Sequence, residues 1–314
     1  MSPAFNDAHA RVFQPGQLTV GLMTPVDARS DRMADVDAAL ELAELADRLG
    51  FAALWTRDVP LMIPQGSDNT ASALDDPFLW LAALAGATRG IAVGAAAIVL
   101  PLRHPLHVAK SALSLDRLSG GRFVLGMGSG DRPAEFAAFG EDLEQRAEAF
   151  RSRWATVRAA LSPEAGEHAM VATSTGGFDV LPRPARRIPM IVVGSARQSL
   201  QWTATHADAW ATYHREEGRQ EGRIELWQRA LEQKGVGPKP FVQSVQLELL
   251  ADADAAPEPL ELGLRTGRHA LVAYLRRLHG MGVAHVMFNL GRGRPAREVI
   301  KELGGEVLPA LTAG

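Results

Sequence analysis

Apolar runs of strand length alternate with amphipathic runs of helix length along nearly the whole chain. Leu18–Met23 reads as a first strand. Val36–Leu49 sets Val36, Leu40, Ala43, Leu45 and Leu49 at helical spacing, and Gly50 closes it. Ala53–Thr56 is a second strand, residues 58–76 form a polar insertion with proline and glycine, and Pro77–Arg89 is the next helix. Ile91–Leu100 is a continuous apolar run, the pattern of a parallel strand buried on both faces. Pro101 and Pro105 forbid its continuation. Leu106–Leu118 returns to helical spacing and Gly120-Gly121 stands at the expected C-cap. Phe123–Met127 is another buried strand, and a helical region follows from Glu141 to Leu161. Pro189–Val193, Ala209–Tyr213, Phe241–Leu250 and Ala284–Leu290 supply four more strands. Helices fall at Gln198–His206, Glu221–Lys234, Arg268–Met281 and Ala296–Leu311, and residues 251–267 read as a long loop.

Eight strands, each followed by a helix, predict a (β/α)8 TIM barrel with an insertion after strand two. Residues 1–314 read as one barrel domain, with 1–17 as an N-terminal extension. An open doubly wound sheet would show a G-x-G-x-x-G turn after its first strand. This chain has Met23-Thr24-Pro25 there. In a barrel the functional residues sit at the C-terminal ends of the strands. Those ends carry Thr24-Pro25, Arg57-Asp58, Ala96 to Pro101, Gly128 to Arg132, Gly194 to Ser199, Tyr213-His214, the 251–267 loop and Asn289 to Arg292.

Composition narrows the chemistry. There is no cysteine, so disulfides, thiolate metal sites and a cysteine nucleophile are excluded. The net charge of −3 argues against a nucleic-acid or anionic-membrane partner. No run approaches the ~18 apolar residues of a membrane span, and residues 1–17 lack the apolar core of a signal peptide. A cytoplasmic protein is therefore expected. A Schiff-base aldolase needs a lysine at a strand's end, but Lys110, Lys234, Lys239 and Lys301 fall in helices or before a strand. A metal-dependent amidohydrolase would want His-x-His after strand one, where Thr24-Pro25-Val26 stands. His104 and His107 lack a third ligand, so no metal is expected and a capping or packing role suits them.

Gly194-Ser195-Ala196-Arg197-Gln198-Ser199 follows an apolar strand and opens a helix. Glycine permits close approach of a ligand, free N–H groups favour an anion, and Arg197 offers a countercharge. Such a turn is equally an N-cap that any barrel shows. Gly128-Ser129-Gly130-Asp131-Arg132 is a second candidate loop, with Arg132 either a ligand to phosphate or a solvated surface arginine.

The stretch V-G-A-A-A-I-V-L-P-L-R-H-P followed by L-D-R-L-S-G-G-R-F resembles the bacterial luciferase-like monooxygenase family, and the resemblance runs from Leu18 to about Leu311. It implies a flavin-dependent oxidoreductase: a two-component monooxygenase that takes reduced FMN from a separate flavin reductase and acts with O2 on a small organic substrate. It implies that the Gly194–Ser199 turn holds the FMN phosphate. It also implies a cis peptide between Ala96 and Ala97 against one face of the flavin ring, and a homodimer packed through Pro77–Arg89 and Pro105–Leu118.

Two departures stand out. An arginine expected at Ser129 is missing, which Arg132 or Arg197 could replace. The histidine usual after the acidic residue of strand two is replaced, giving Asp58-Val59, which leaves Asp58 and Arg57 as the candidate catalytic groups. A subgroup of luciferase-type oxidoreductases with D-V-P, L-P-L-R-H-P-L-H-V-A-K and S-G-D-R-P is similar throughout. A deazaflavin-dependent oxidoreductase and a flavin-binding protein without turnover are the alternatives. The loop G-S-G-D-R-P-A-E differs from the G-x-G-E-x-x-N-E of deazaflavin relatives and favours FMN.

Overall fold

The computed structural model describes residues 4–26, 33–63, 74–291 and 293–312. Most of the insertion after strand two, residues 64–73, and Arg292 lie outside them. The described strands are β1 (Thr19–Met23), β2 (Ala53–Thr56), β3 (Ala92–Ala95), β4 (Ile98–Val99), β5 (Phe123–Gly128), β6 (Met190–Val193), β7 (Ala209–Tyr213), β8 (Phe241–Leu249), β9 (Glu258–Leu260), β10 (Gly263–Thr266) and β11 (Val283–Leu290). The helices are α1 (Asp7–Val12), α2 (Val36–Arg48), α3 (Pro77–Ala87), α4 (Pro105–Leu118), α5 (Pro133–Phe139), α6 (Arg146–Ala160), α7 (Ala165–Ser174), α8 (Leu200–His206), α9 (Glu217–Gln233), α10 (Arg268–Met281), α11 (Ala296–Glu302) and α12 (Leu308–Thr312).

Staves β1, β2, β3, β5, β6, β7, β8 and β11 pair in parallel in that order, and β11 pairs with both β8 and β1. The sheet thus closes into the eight-stave barrel that the alternation predicts. Outward residues such as Leu22, Leu54, Val93 and Leu125 pack with the helices in one large cluster. Inward residues form a second cluster around Trp55 with Met23, Val124, Ile191, Ala211, Val242 and Met287. Glycine makes room for the indole: a Cβ on Gly94 would collide with the Trp55 ring.

Besides the unforeseen short helices α5 and α7 and a start of α9 at Glu217 instead of Glu221, the structure departs from the sequence reading in five places that shape the barrel's ends. Residues 4–13 are more than an extension. α1 sends Ala8 and Val12, with Phe13 after it, into the inward cluster and plugs the barrel's base. Asn6 ties this plug down by donating to Asp116 Oδ1 (2.7 Å) and the Phe123 carbonyl (2.8 Å). The Ile91–Leu100 strand breaks into β3 and β4 at Ala96–Ala97, whose peptide is cis. The 141–161 helix begins only at Arg146. The helix after β6 begins at Leu200 instead of Gln198, because Gly194, Ala196 and Arg197 take φ of 70°, 44° and 57°. Residues 251–267 are not all loop. They include β10, which runs parallel to the upper half of β8, and β9, which turns back antiparallel to β10.

Candidate active site

Two loops meet side by side at the C-terminal mouth, because Met127 of β5 is in register with Val192 of β6. A Cβ on Gly128 would sit 3.4 Å from the Val193 carbonyl oxygen and 3.5 Å from Ala97 Cβ, so the space above it is open but shallow. Ser129 is buried beside it, and Gly130 takes φ 72°. In the neighbouring turn Ser195 and Arg197 are exposed while Ala196 is buried. Among the described residues no carboxylate pairs with Arg197. Ser199 is the N-cap of α8, accepting from Trp202 N–H at 3.1 Å. Gln198 donates to the Ala147 carbonyl (2.8 Å) and accepts from Arg151 of α6 (3.1 Å). Arg151 therefore stands at the turn, a cation that lies far away in sequence.

The other half of the mouth is polar. Val242 belongs to the inward cluster, so Ser244, Gln246 and Glu248 share its face by the period of two, and all three are half-buried. Asn289 shares the face of Met287 and lies in register with Gln246. Its Nδ2 donates to Gln246 Oε1 at 2.8 Å. Tyr213 is in register with Ser244. Glu248 is held from β10 by Arg265 (2.9 Å). β8 is longer than the staves beside it, so its upper half rises as a wall, with β10 on the edge that β7 leaves free.

Asp58 lies below the rim and is engaged by the protein. Its carboxylate accepts from Arg103 Nε (2.7 Å) and Nη2 (2.8 Å) and from Val99 N–H (3.1 Å). Arg103 also reaches Asp76, the N-cap of α3, at 2.9 Å. Although burial works against its charge, the two carboxylates hold the Arg103 guanidinium protonated above its usual range. Arg57, the other candidate catalytic group, is half-buried, and the Asp58 carboxylate is held by Arg103 and the Val99 N–H rather than by it. Arg132 is also largely buried and pairs with Glu135 at 3.2 Å, so it is not a solvated surface arginine. Burial pushes the Glu135 carboxyl up, against the pull of Arg132. A cavity of about 440 Å3 opens between the N-termini of α3 and α4, lined by Phe78, Leu102, Arg103, His104, His107 and Phe139 among others. His104 caps α4, its Nδ1 accepting from Leu106 N–H at 3.3 Å. Among the described residues no three His, Asp or Glu side chains gather as a metal site.

The structure thus brings Gly128, Ser129, Gly194, Ser195, Ala196 and Arg197 to one side of the mouth, near Ala97. Gln198 and Ser199 belong to the same turn, but their side chains serve the protein's own contacts. Sequence reasoning missed Gln246, Glu248, Arg151 and Arg103. For Gln246 and Glu248 a signal existed: S-V-Q-L-E-L alternates, which a strand buried on both faces does not do. For the arginines none existed, since only tertiary packing pairs residues 45 and 47 positions apart.

The model of luciferase-like monooxygenases matches residues 17–293. Among curated proteins the chain is 38% identical over 105 residues to 4-hydroxyprotoasukamycin monooxygenase of Streptomyces nodosus subsp. asukaensis, covering 33% of this chain and 26% of that protein. It is 26% identical over 169 residues to the alkanal monooxygenase alpha chain of Photorhabdus luminescens, covering 53% and 45%. The chain spans between a quarter and just over half of the length of the first curated relatives it matches. Among solved structures, a monooxygenase from Streptomyces bottropensis superposes with a TM-score of 0.72 at 17% identity, over 93% of this chain and 99% of that one. The oxygenating constituent of 3,6-diketocamphane monooxygenase from Pseudomonas putida, in complex with FMN, gives 0.70 at 16%, over 93% and 98%. An F420-dependent secondary alcohol dehydrogenase gives 0.73 at 14%, over 94% and 99%. No described helix is long and apolar enough to cross a membrane. The family model covers most of the chain and the barrel is closed: the chain belongs to the luciferase-like monooxygenase family.

Proposed function

We propose that this chain is an FMN-dependent oxidoreductase, a two-component monooxygenase that uses reduced FMN and O2 on a small organic substrate. The observation that carries the reading is the glycine-lined half of the mouth: Gly128 leaves a shallow open space beside Ala97, and next to it an exposed serine and a guanidinium that no carboxylate among the described residues pairs stand on one turn. That donor set fits a phosphate, and the space beside Ala96 and Ala97 fits a flat ring. Ser195 and Arg197 would hold the phosphate, with Ser129 beneath and Arg151 adding charge.

When bound, reduced FMN supplies the electrons for O2 activation. The protein's own part is to hold the ring, exclude water and manage protons. Val59 cannot transfer a proton. Of the two groups at the end of β2, Arg57 is half-buried and pairs with no carboxylate among the described residues, so it is the one we assign to charge developing in the mouth. Asp58 acts through Arg103 and the Val99 N–H, fixing β4 and the turn that follows it. A separate reductase would supply reduced FMN, and α3 would pack against a second copy. Its outer face is apolar and small, with Leu79, Ala83 and Gly86 exposed.

The test is titration with FMN followed by flavin fluorescence. Wild type binds, and Ser195→Ala with Arg197→Glu weakens binding at least about tenfold, given the strength of charge-assisted phosphate contacts. An unchanged affinity in that double variant overturns the placement. The fold relatives that use F420, a deazaflavin, make a second titration informative, and tighter binding of that coenzyme than of FMN would replace the cofactor. Oxidation of NADH by the chain plus FMN alone would remove the need for a reductase. A monomeric mass at micromolar concentration would remove the dimer. FMN binding without substrate-dependent O2 consumption, once photoreduced FMN is supplied, would leave a flavin-binding protein.

A further inference from the structure

The polar half of the mouth carries a recognition element that the cofactor reading does not use. Asn289 and Gln246 are joined by one hydrogen bond, Nδ2–H to Oε1, at 2.8 Å. That bond leaves Asn289 Oδ1 as an acceptor and Gln246 Nε2 as a donor, side by side on adjacent staves in register. Exchanging oxygen and nitrogen in both amides leaves the same complement, one donor and one acceptor. Both side chains are half-buried, on the same inward face as Val242 and Met287. Neither free end is a buried orphan among the described residues, and both side chains stand on the inward face near the C-terminal ends of their staves.

We propose that this pair is a specificity element that reads a neutral cis secondary-amide edge, N–H beside C=O, on the substrate: a lactam or a cyclic imide, the ring holding the amide in the cis form that an open-chain amide avoids. The proposal rests on the reading that the flavin ring occupies the glycine half, because the substrate then lies between ring and wall. A cis-amide edge offers one donor and one acceptor on the same side and meets both free ends at once. A hydrocarbon would strip water from both ends and return no bond. A carboxylate would meet one donor only, one pleat below Glu248. Glu248 itself is committed to Arg265, so the wall's charge is settled without the ligand.

The experiment measures calorimetric binding of three probes to the protein without cofactor and loaded with FMN: ε-caprolactam, cycloheptanone of the same ring size, and cyclohexanecarboxylate. The expected result is that the lactam binds at least about tenfold more tightly than the ketone, as two added hydrogen bonds imply, with the carboxylate weakest. Gln246→Leu combined with Asn289→Leu should erase the preference at unchanged FMN affinity. Asn289→Asp, nearly isosteric, should reduce it while leaving the melting temperature in place. Equal binding of lactam and ketone, no binding of either, or a preference that survives the double variant overturns the proposal. Loss of FMN affinity in the double variant also overturns it, assigning the pair to the flavin's own pyrimidine edge. Failure of FMN to bind wild type would sink the flavin reading alone, since the lactam preference is judged separately in the cofactor-free protein.

Discussion

The base and the mouth of the barrel are lined by the same staves, yet their inward polar groups do opposite work. At the base Trp55 Nε1, a donor only, gives its hydrogen to His285 Nε2 at 2.9 Å. His285 Nδ1 then carries the proton and donates to Thr19 Oγ1 at 2.7 Å, and that hydroxyl donates to the Val12 carbonyl at 2.5 Å. Each bond ends on the protein. At the mouth the Gln246–Asn289 pair is bonded once and keeps two open ends. Height within the barrel thus separates a closed network at the base from a pair with free hydrogen-bonding ends at the mouth, where Glu248 is closed by Arg265 from outside the ring of staves.

Four comparisons break or sharpen this contrast. The largest effect belongs to Gly126, inward on β5 and one pleat below Gly128. An added Cβ would collide with the Ala95 carbonyl and crowd Ile191. Gly126→Ala should cost about 3 kcal/mol or more, read as a lowered urea midpoint at constant slope. Next is Asp58→Asn. Asp58 is nearly inaccessible, and its loss leaves Arg103 without its bidentate partner, so about 2–3 kcal/mol of stability should vanish. Asp76→Asn, on the exposed arm of the same network, should cost less than about 1 kcal/mol.

The third concerns pH. Burial holds His285 at a pKa of about 3, below its unfolded 6.5. The unfolded chain therefore binds a proton that the folded chain does not. Stability is full above the unfolded value and falls as pH drops from 6.5 towards 3. Between pH 7 and 5 this group should remove about 2 kcal/mol, and His285→Gln should lack that part of the slope. An identical slope in both proteins would refute the buried neutral imidazole. The smallest effect on stability belongs to Gly128→Ala. Its Cβ makes only ordinary contacts, so stability should change by less than about 0.5 kcal/mol. FMN affinity should still fall, because the methyl group fills the space beside Ala97. If both glycine variants lost stability equally, height would not separate fold from site.

The staves and most helices were legible because each is a local hydrophobic pattern, and the glycines of the mouth because turns need them. The plug of residues 4–13 was not legible. Ala8, Val12 and Phe13 are too few to form a pattern and gain meaning only inside a barrel built by later residues. β9 and β10 were hidden for a similar reason: Gly263 to Thr266 is a strand because Gln246 to Leu249 offers it an edge. The Asp58–Arg103 pair joins elements whose proximity only the closed sheet creates. Gln246 and Glu248 were readable in principle, by counting polar residues at every second position.

The Thr19–His285 bond joins residues 266 positions apart, across the seam where β1 meets β11. During synthesis β1 emerges long before its partner and must wait, that edge unpaired, until β11 has been made. Closure is thus a late, long-range event, with the slow kinetics that high contact order brings. Until then the Trp55 indole lacks its acceptor and α1 has no finished floor to seal. A nascent chain stalled before residue 283 would display an open curved sheet, an aggregation-prone edge that one final stave converts into a ring without edges.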